Sequence, residues 1–490
     1  MRSAEEKAFA AGHSAESLMD EAGGGIAAAI VQFYPVPGQL ILYLGKGNNA
    51  GDALVVGRIL NRLGWRIWLR RSPRDPLGEL PQKKLDQLGA AAVDAISSED
   101  FIGLPGPLLL IDGLLGIGAS GPLRDWVAKA SAEILDLRAS HQARVVAIDI
   151  PSGVDCDTGA VADGSVCADQ TFTVAAGKIG LVADAATNHV GRLGVIPVPR
   201  IPWRSTQPDE TLATPAELLP LLPSRSFDFH KGQAGRVGVV AGSTGMFGAA
   251  RLCAEAALRG GAGLVTLFVR AEDLSIVAPS LPAEIMVQPI NDLSEVAEHR
   301  LDALAIGPGL GTQNQEAVVS LCRQTPLPAV LDADALNAIA AESPGALPEM
   351  KGPRLLTPHP GEMRRLTPGL GAEIRRIDLA RNYVKGSSDT AILLKGARTL
   401  VAADGLPTSF NTTGHPGMAT AGMGDVLTGV AAAFLATEVP VYDAGRLAAW
   451  LCGRAAERAL IDGESLESVV ASSVLRNLGG AFNDLRNGVF

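Results

Sequence analysis

The chain is 490 residues long, 47% hydrophobic and 19% charged, a length that makes about two or three domains and an apolar content too high for disorder. Its 56 glycines and 31 prolines follow no three-residue repeat, which excludes a collagen-like chain, and a formal net charge of -10 argues against a surface that neutralises nucleic-acid phosphates. The five cysteines (Cys156, Cys167, Cys253, Cys322, Cys452) are scattered without a C-x-x-C pair, so neither a disulfide framework nor a zinc site is expected and they are read as reduced thiols of a cytoplasmic protein.

In chain order, the segment Met1-Arg2-Ser3-Ala4-Glu5-Glu6-Lys7 carries acids with no apolar core behind it, so no signal peptide is expected. Residues 22–45 are uncharged and long enough to cross a bilayer, but Pro35-Val36-Pro37-Gly38 cuts them into a helical half and a strand half, so no membrane span is expected either. Short apolar runs then alternate with Ala-rich helical stretches, the pattern of α/β domains with largely parallel sheets. The strands predicted for the first half are 39–44, 66–69, 108–111, 145–148, 171–174 and 193–196.

The first strand runs into Gly45-Lys46-Gly47-Asn48-Asn49-Ala50-Gly51-Asp52, ahead of a helix predicted over 53–63. Such a turn presents free N–H groups to a phosphate, and serves equally as a plain tight turn with an Asp near a helix start. After strand 108–111 comes Asp112-Gly113-Leu114-Leu115-Gly116-Ile117-Gly118-Ala119-Ser120-Gly121-Pro122. Gly116, Gly118 and Gly121 match G-x-G-x-x-G, but they stand off the strand and Pro122 follows, so this is not a dinucleotide fingerprint. Strand 145–148 ends in Asp149-Ile150-Pro151-Ser152-Gly153. Three loops at one sheet edge would bring Asn49, Asp112 and Ser152 together, and hard oxygens of low total charge suit a monovalent cation better than zinc or copper.

These loops, with Ser17-Leu18-Met19-Asp20-Glu21-Ala22-Gly23, resemble NAD(P)H-hydrate epimerase over nearly all of residues 1–200. The resemblance implies a Rossmann-like fold. It implies substrate contacts at Asn48, Asn49, Ala50, Gly51 and Asp52, at Gly116, Ile117, Gly118, Ala119, Ser120, Gly121 and Pro122, and at Asp149. It also implies potassium ligation by Asn49, Asp112 and Ser152. Lys178, in Ala176-Gly177-Lys178-Ile179-Gly180, matches a lysine that the family sets beside Asp149, and this pair is expected to transfer protons during inversion; the bland alternative is a salt bridge. Ala50 and Ala53 replace glycines of the family pattern, where a left-handed backbone angle would cost on the order of 1 kcal/mol each.

From Pro197 the texture turns Pro-rich and polar, which places a linker near 200–212 between domains expected at 1–205 and 212–490. The second series of predicted strands is 237–241, 264–269, 303–306, 329–331, 354–356, 392–394 and 399–402, with helical sequence from 425 on. No period relates the halves, so they are different domains.

Gly242-Ser243-Thr244-Gly245-Met246-Phe247-Gly248-Ala249-Ala250 is a weak ligand signal, as fit for close helix–sheet packing as for a bound group. A stronger constellation is Asn411-Thr412-Thr413-Gly414-His415-Pro416-Gly417-Met418-Ala419-Thr420-Ala421-Gly422-Met423-Gly424-Asp425, running into a helix predicted over 426–435. Small residues ahead of a helix form an anion hole from N–H groups and the helix dipole, and Asp425 beside it can accept a hydroxyl proton. Asp is also a common helix cap, though a cap needs no such run before it. No G-x-x-x-x-G-K-[ST] occurs, so a P-loop is not used.

The second half resembles ADP-dependent NAD(P)H-hydrate dehydratase, of the ribokinase-like fold, through His230-Lys231-Gly232, Gly307-Pro308-Gly309-Leu310-Gly311, Leu331-Asp332-Ala333-Asp334-Ala335-Leu336-Asn337, Thr357-Pro358-His359-Pro360-Gly361-Glu362 and Leu394-Lys395-Gly396-Ala397-Arg398-Thr399. The resemblance implies hydrate contacts at Ala249, Gly309, His359 and Asp425, and nucleotide contacts at Lys395, Gly396, Ala397, Arg398, Thr399 and Gly424. His359 read alone is equally a satisfied loop histidine. Ala421 and Met423 depart from the Gly and Ser or Thr usual in the family's loop; backbone donors survive, while a hydroxyl at 423 is lost.

Together the resemblances imply a bifunctional repair enzyme for hydrated NADH and NADPH. One domain interconverts the R and S hydrates; the other dehydrates the S form with ADP, releasing AMP and phosphate. The expected cofactors are K+ in the first domain and Mg2+ with ADP in the second; the expected partners are the hydrates and ADP, with no nucleic acid, no membrane, and a homo-oligomeric state. The rival reading is a ribokinase-like small-molecule kinase fused to a non-catalytic Rossmann-like binding module.

Overall fold

The computed structural model describes residues 2–72, 74, 76–201, 208–345, 347, 349–370 and 374–489. The chain divides into two units, residues 1–206 with 490, and residues 207–489.

The strands of the first unit are β1 (Gln39–Leu44), β2 (Arg66–Arg71), β3 (Ala92–Asp94), β4 (Leu108–Gly113), β5 (Arg144–Ile148), β6 (Gln170–Val174) and β7 (Arg192–Ile196), in a parallel sheet of order β3-β2-β1-β4-β5-β6-β7. β1 is buried at all six positions because both its faces are covered. Leu40, Leu42 and Leu44 meet Ile26, Ile30 and Leu54 of helices Ala15–Phe33 and Asn48–Arg62, while Ile41 and Tyr43 share a cluster with Ile134 and Leu137 of helix Asp125–His141. Strand β3 escaped sequence reading because it is a three-residue edge strand with two exposed positions and no apolar alternation.

One expected boundary is corrected. The helix begins at Asn48, not at residue 53, with Gly47 as its N-cap, so Asn48 to Asp52 form its first turns. Ala50 and Ala53 are therefore helical and fully buried, neither has a positive φ, and the strain expected of them is not incurred.

The second unit contains β8 (Glu210–Ala213), β9 (Arg236–Val240), β10 (Leu264–Arg270), β11 (Ile285–Ile290), β12 (Ala303–Ile306), β13 (Ala329–Leu331), β14 (Arg354–Leu356), β15 (Thr390–Leu394), β16 (Leu400–Ala403) and β17 (Thr408–Asn411). Their order is β11-β10-β9-β12-β13-β14-β15-β16-β17-β8, parallel except where β16 runs against β15 and β17. Helix Met423–Leu435 is buried from Val426 onward and packs so tightly on helix Phe247–Arg259 that a Cβ on Gly429 would lie 2.1 Å from the Cys253 carbonyl oxygen. This helix starts at Met423 rather than at 426.

Three strands of this sheet, β8, β11 and β17, were not expected. β8 also corrects the linker: Glu210, Thr211 and Leu212 pair with β17, and Thr408 donates its N–H to the Asp209 carbonyl at 2.9 Å. A four-residue edge strand carries too little apolar pattern to be recognised without its partner. Linker residues 202–207 lie outside the described residues. Among the described residues no helix is long and apolar enough to cross a membrane.

Candidate functional site

In each sheet the chain reverses its direction of growth once, between β1 and β4 in the first and between β9 and β12 in the second. Loops at the carboxyl ends of strands diverge at such a point and leave a crevice.

In the first unit the crevice is closed at its base by backbone contact: a Cβ on Gly45 would lie 1.8 Å from the Leu114 carbonyl oxygen. Asn49, on the first turn of its helix, donates its amide Nδ2 to the Leu115 carbonyl at 2.7 Å. The Leu115 N–H donates to Ser152 Oγ at 3.1 Å, and Ser152 donates both its hydroxyl and its N–H to Asp112, each at 2.7 Å. Asn49, Asp112 and Ser152 thus come together around one peptide, as the sequence suggested, and Asp112 and Ser152 are fully buried. Burial pushes the Asp112 carboxyl up to about 6, against the hydrogen bonds from Ser152 and Leu114 that favour its charge.

Asp149 and Lys178 form a second polar cluster beside it. Asp149 has φ +63, and the Ile150 N–H turns back to the Ile148 carbonyl at 2.7 Å. One strand over, Ala175 has φ +61 and the Ala176 N–H returns to the Val174 carbonyl at 2.7 Å. Two rare three-residue turns, each strained for a side chain, therefore end β5 and β6 side by side. Lys178 Nζ donates to Asp149 Oδ1, to Thr173 Oγ1 at 2.8 Å and to the Val174 carbonyl at 3.0 Å, which uses all three of its hydrogens. Asp149 Oδ1 also accepts from the Val174 N–H at 3.0 Å and Thr173 Oγ1 at 3.2 Å. Nearby Asp52 is pushed well above the usual carboxylate range by burial and by the charges of Asp149 and Glu5. Thr173 and Ala175 had no sequence signal, since only the fold sets β6 next to β5.

The loop carrying Gly116 to Pro122 does not begin a helix; helix Asp125–His141 starts later, which bears out the rejection of a dinucleotide fingerprint. Gly116 faces Asn49, while Gly118, Ser120, Gly121 and Pro122 stand in solvent.

In the second unit Asp332, at the end of β13, is 1% exposed and accepts from Lys395 Nζ at 2.8 Å and from Thr428 Oγ1 at 2.9 Å. Glu362 Oε2 lies 3.7 Å from the same ammonium. Burial opposes the charge on Lys395, but the two carboxylates outweigh it and raise its pKa. Gly424 rests against this ion pair: a Cβ there would lie 3.3 Å from both Asp332 Oδ2 and Lys395 Nζ. Helix Met423–Leu435 is capped by Gly422, at φ +87, so Asp425 is in the first turn and is not the cap. Burial and then the Asp332 charge push the Asp425 carboxyl up to about 6, with Lys395 opposing. That is the range of a base that works near neutrality.

The loop ahead of this helix is braced from behind by helix Val441–Ile461. Glu457 Oε1 accepts from the Gly414 N–H at 2.8 Å, Thr413 donates to the Trp450 carbonyl at 2.8 Å, and His415, whose pKa burial lowers, bonds the Ala456 carbonyl through Nε2 at 3.0 Å. Across the switch point Ser243 donates to the Gly309 carbonyl at 2.9 Å, and Gly309, at φ +62, lies against Ala249, where a Cβ would be 3.1 Å away. His359 caps helix Pro360–Leu366: its Nδ1 accepts from the Gly361 and Glu362 N–H groups at 2.9 and 3.3 Å. The ring proton therefore sits on Nε2, on a side chain 49% exposed. Ahead of β16, Thr399 donates to the Gly396 carbonyl at 3.0 Å and Arg376 to the Arg398 carbonyl at 3.2 Å, which holds residues 395–399 in a turn. Asp332, Glu362 and Thr428 were given no role by sequence reading, although Asp332 and Glu362 lie within motifs it singled out.

Residues 15–180 match the family described as YjeF-related protein N-terminus, and residues 237–476 the family described as NAD(P)H-hydrate dehydratase. The chain is 36% identical to a bifunctional NAD(P)H-hydrate repair enzyme of Moorella thermoacetica, over 90% of this chain and 88% of that protein. It is 35% identical to the one of Coxiella burnetii, over 94% of each. Among solved structures, an ADP/ATP-dependent NAD(P)H-hydrate dehydratase from Bacillus subtilis, co-crystallised with ATP/Mg2+, is 30% identical with a TM-score of 0.50, covering 56% of this chain and 99% of that one.

Proposed function

The chain belongs to the family of bifunctional NAD(P)H-hydrate repair enzymes, and from that premise we propose how its two units divide the work. The protein is a multifunctional enzyme that epimerises the R and S hydrates of NADH and NADPH and dehydrates the S hydrate with a nucleotide. Epimerisation belongs to the first unit and dehydration to the second. What carries this reading is that the likeness to these relatives runs through both units, over 94% of the chain, and that each unit holds its own lysine–carboxylate pair at the carboxyl ends of its strands, Lys178 with Asp149 in the first and Lys395 with Asp332 in the second. A kinase fused to an inert module accounts for neither.

In the first unit Asp149 and Lys178 exchange the proton that inversion requires. All three hydrogen bonds to Asp149 end on Oδ1, which leaves Oδ2 with lone pairs for the substrate. Asn48 to Asp52 and Gly116 to Pro122 form the walls. Asn49, Asp112 and Ser152 hold potassium: one buried carboxylate and neutral oxygens match a single positive charge, which would also offset the cost of ionising Asp112. Bound there, the ion would tie three loops together.

In the second unit Asp425 takes the proton of the hydrate's hydroxyl as that oxygen accepts the β-phosphoryl group of ADP, and AMP leaves. Phosphate then departs with the hydroxyl oxygen as a proton is lost from the neighbouring carbon, which restores the reduced ring. Ala249, Gly309 and His359 border the hydrate, whereas Lys395 to Thr399 and Gly424 border the nucleotide. Free N–H groups at the start of helix Met423–Leu435 and the Lys395 ammonium balance the charge in transit. The Mg2+ would travel with the nucleotide, held mainly by its phosphates and water. Five free cysteines fit a reducing cytoplasm. A homo-oligomeric state, checked by light scattering, completes the reading. The test of the whole is incubation with mixed hydrate epimers and ADP: complete recovery of reduced-nicotinamide absorbance is expected, and recovery of the S fraction alone would remove the epimerase half.

A further inference from the structure

Asp332 is the most buried carboxylate of the second site, and its two oxygens serve different elements. Oδ1 takes Lys395 Nζ, at the end of β15, at 2.8 Å; Oδ2 takes Thr428 Oγ1, one turn beyond Asp425, at 2.9 Å. A carboxylate repels an arriving phosphate, so Asp332 is unsuited to binding the nucleotide directly. It acts on what does. A lysine stem has many rotamers, and its charge helps phosphoryl transfer only when it is held where negative charge develops. Here the ammonium is held 3.3 Å from the point where a Gly424 Cβ would stand, with Glu362 Oε2 at 3.7 Å as a second anchor. The backbone that aims Asp332 is committed as well. Ala333, the next residue, has φ +49 and ψ -114, and a Cβ on Gly307 would lie 1.8 Å from the Asp332 carbonyl oxygen. Strain of this kind persists where surrounding structure over-determines it, and clusters at functional sites.

We propose that Asp332 is a positioning residue for dehydration: it clamps the Lys395 ammonium against Gly424, where it meets the phosphoryl group in transit, and through Thr428 it ties that clamp to the helix that carries Asp425. The proposal rests on the dehydratase reading of the second unit. Asp425 is faced by Asp332 from β13, by Lys395 from β15 and by Cys253 from helix Phe247–Arg259, so a change of charge at 332 also reaches the base itself.

The test is Asp332→Asn in the full chain, which keeps shape and removes charge, assayed with S hydrate and ADP beside the unaltered protein. A drop in kcat on the order of 100-fold is expected, the scale for a misplaced reacting group, with little change in KM for the hydrate. The acidic limb of the kcat profile should move to lower pH, because a negative neighbour that favoured the protonated form of Asp425 is gone; a merely structural role would not move it. An unchanged kcat overturns the proposal even if the limb moves, because the loss of the charge alone can move it. Failure of the unaltered protein to consume S hydrate overturns the dehydratase reading and the proposal with it. Should the variant not fold, Thr428→Val loosens only one side of the clamp: several-fold lower kcat with the limb unmoved supports the proposal, and normal kcat overturns it.

Discussion

In its proposed role as the base, Asp425 would trade stability for chemistry. Its carboxyl, pushed up to about 6 by burial and then by Asp332, acts as a base only when ionised. Dehydration should therefore rise about tenfold per pH unit and level off near pH 6. The same shift costs stability: a carboxyl raised on folding stabilises the protein below its unfolded pKa, and that contribution is lost as pH rises through about 6. Asp425→Asn should then lower dehydration at least about 100-fold, leave epimerisation intact and raise the melting temperature at pH 7. A variant that dehydrates S hydrate normally would reduce Asp425 to a helix-dipole residue. At the other site, Asp149→Asn keeps the shape of the Lys178 cluster but removes the proton carrier. With ADP present it should consume S hydrate and leave R hydrate behind; undiminished use of R hydrate, measured by chiral separation of the remainder, would make the Asp149–Lys178 pair a salt bridge and nothing more.

At the scale of elements, the ends of strands and the starts of helices do the positioning. The loop before helix Met423–Leu435 gains its rigidity from behind, through Glu457, which is bonded to Arg454 at 3.0 Å, itself bonded to Asp484 of helix Ala471–Arg486 at 2.8 Å. Buried charges of this sort are retained only when fully paired. In the first unit the three loops around Leu115 meet through a buried carboxylate, and the proposed potassium would be their common tie. Asp112→Ala should slow epimerisation and abolish any difference between potassium and lithium buffers, while dehydration of pure S hydrate stays unchanged. Epimerisation by the unaltered protein that ignores the choice of cation would refute the assignment.

For the whole molecule, each unit has its own sheet and its own core, so the units should fold and act separately. The position of the cut matters. A fragment of residues 1–206 should epimerise, and one of residues 207–490 should dehydrate only the S hydrate; mixing them should restore consumption of both epimers. A second fragment begun at Thr211 removes Glu210 from β8 and the Asp209 carbonyl that accepts from Thr408 and Arg381, and should melt at lower temperature. Two soluble, folded fragments that both lack activity would mean that the sites depend on the intact chain.

The alternation of apolar runs with helical stretches was enough to read two α/β units and most of the inner strands from the sequence, because a strand buried on both faces is largely apolar, as β1 is from Leu40 to Leu44. The glycine-rich turns stood out because a backbone that receives an anion needs small residues at a particular place in the chain, and Lys178, singled out through the family resemblance, does lie against Asp149. The short edge strands β3 and β8 were not legible, since their stability comes from a partner distant in the chain. Nor could local pattern show that Asn48 to Asp52 are already helical, or that Ala50 is thereby free of strain. The pairing of Asp332 with Lys395, 63 residues on, and of Thr173 with Asp149, 24 residues back, arises where the sheet order sets strand ends side by side. A side chain's type is local information; its partner is chosen by strand order and register, which only the folded sheet decides.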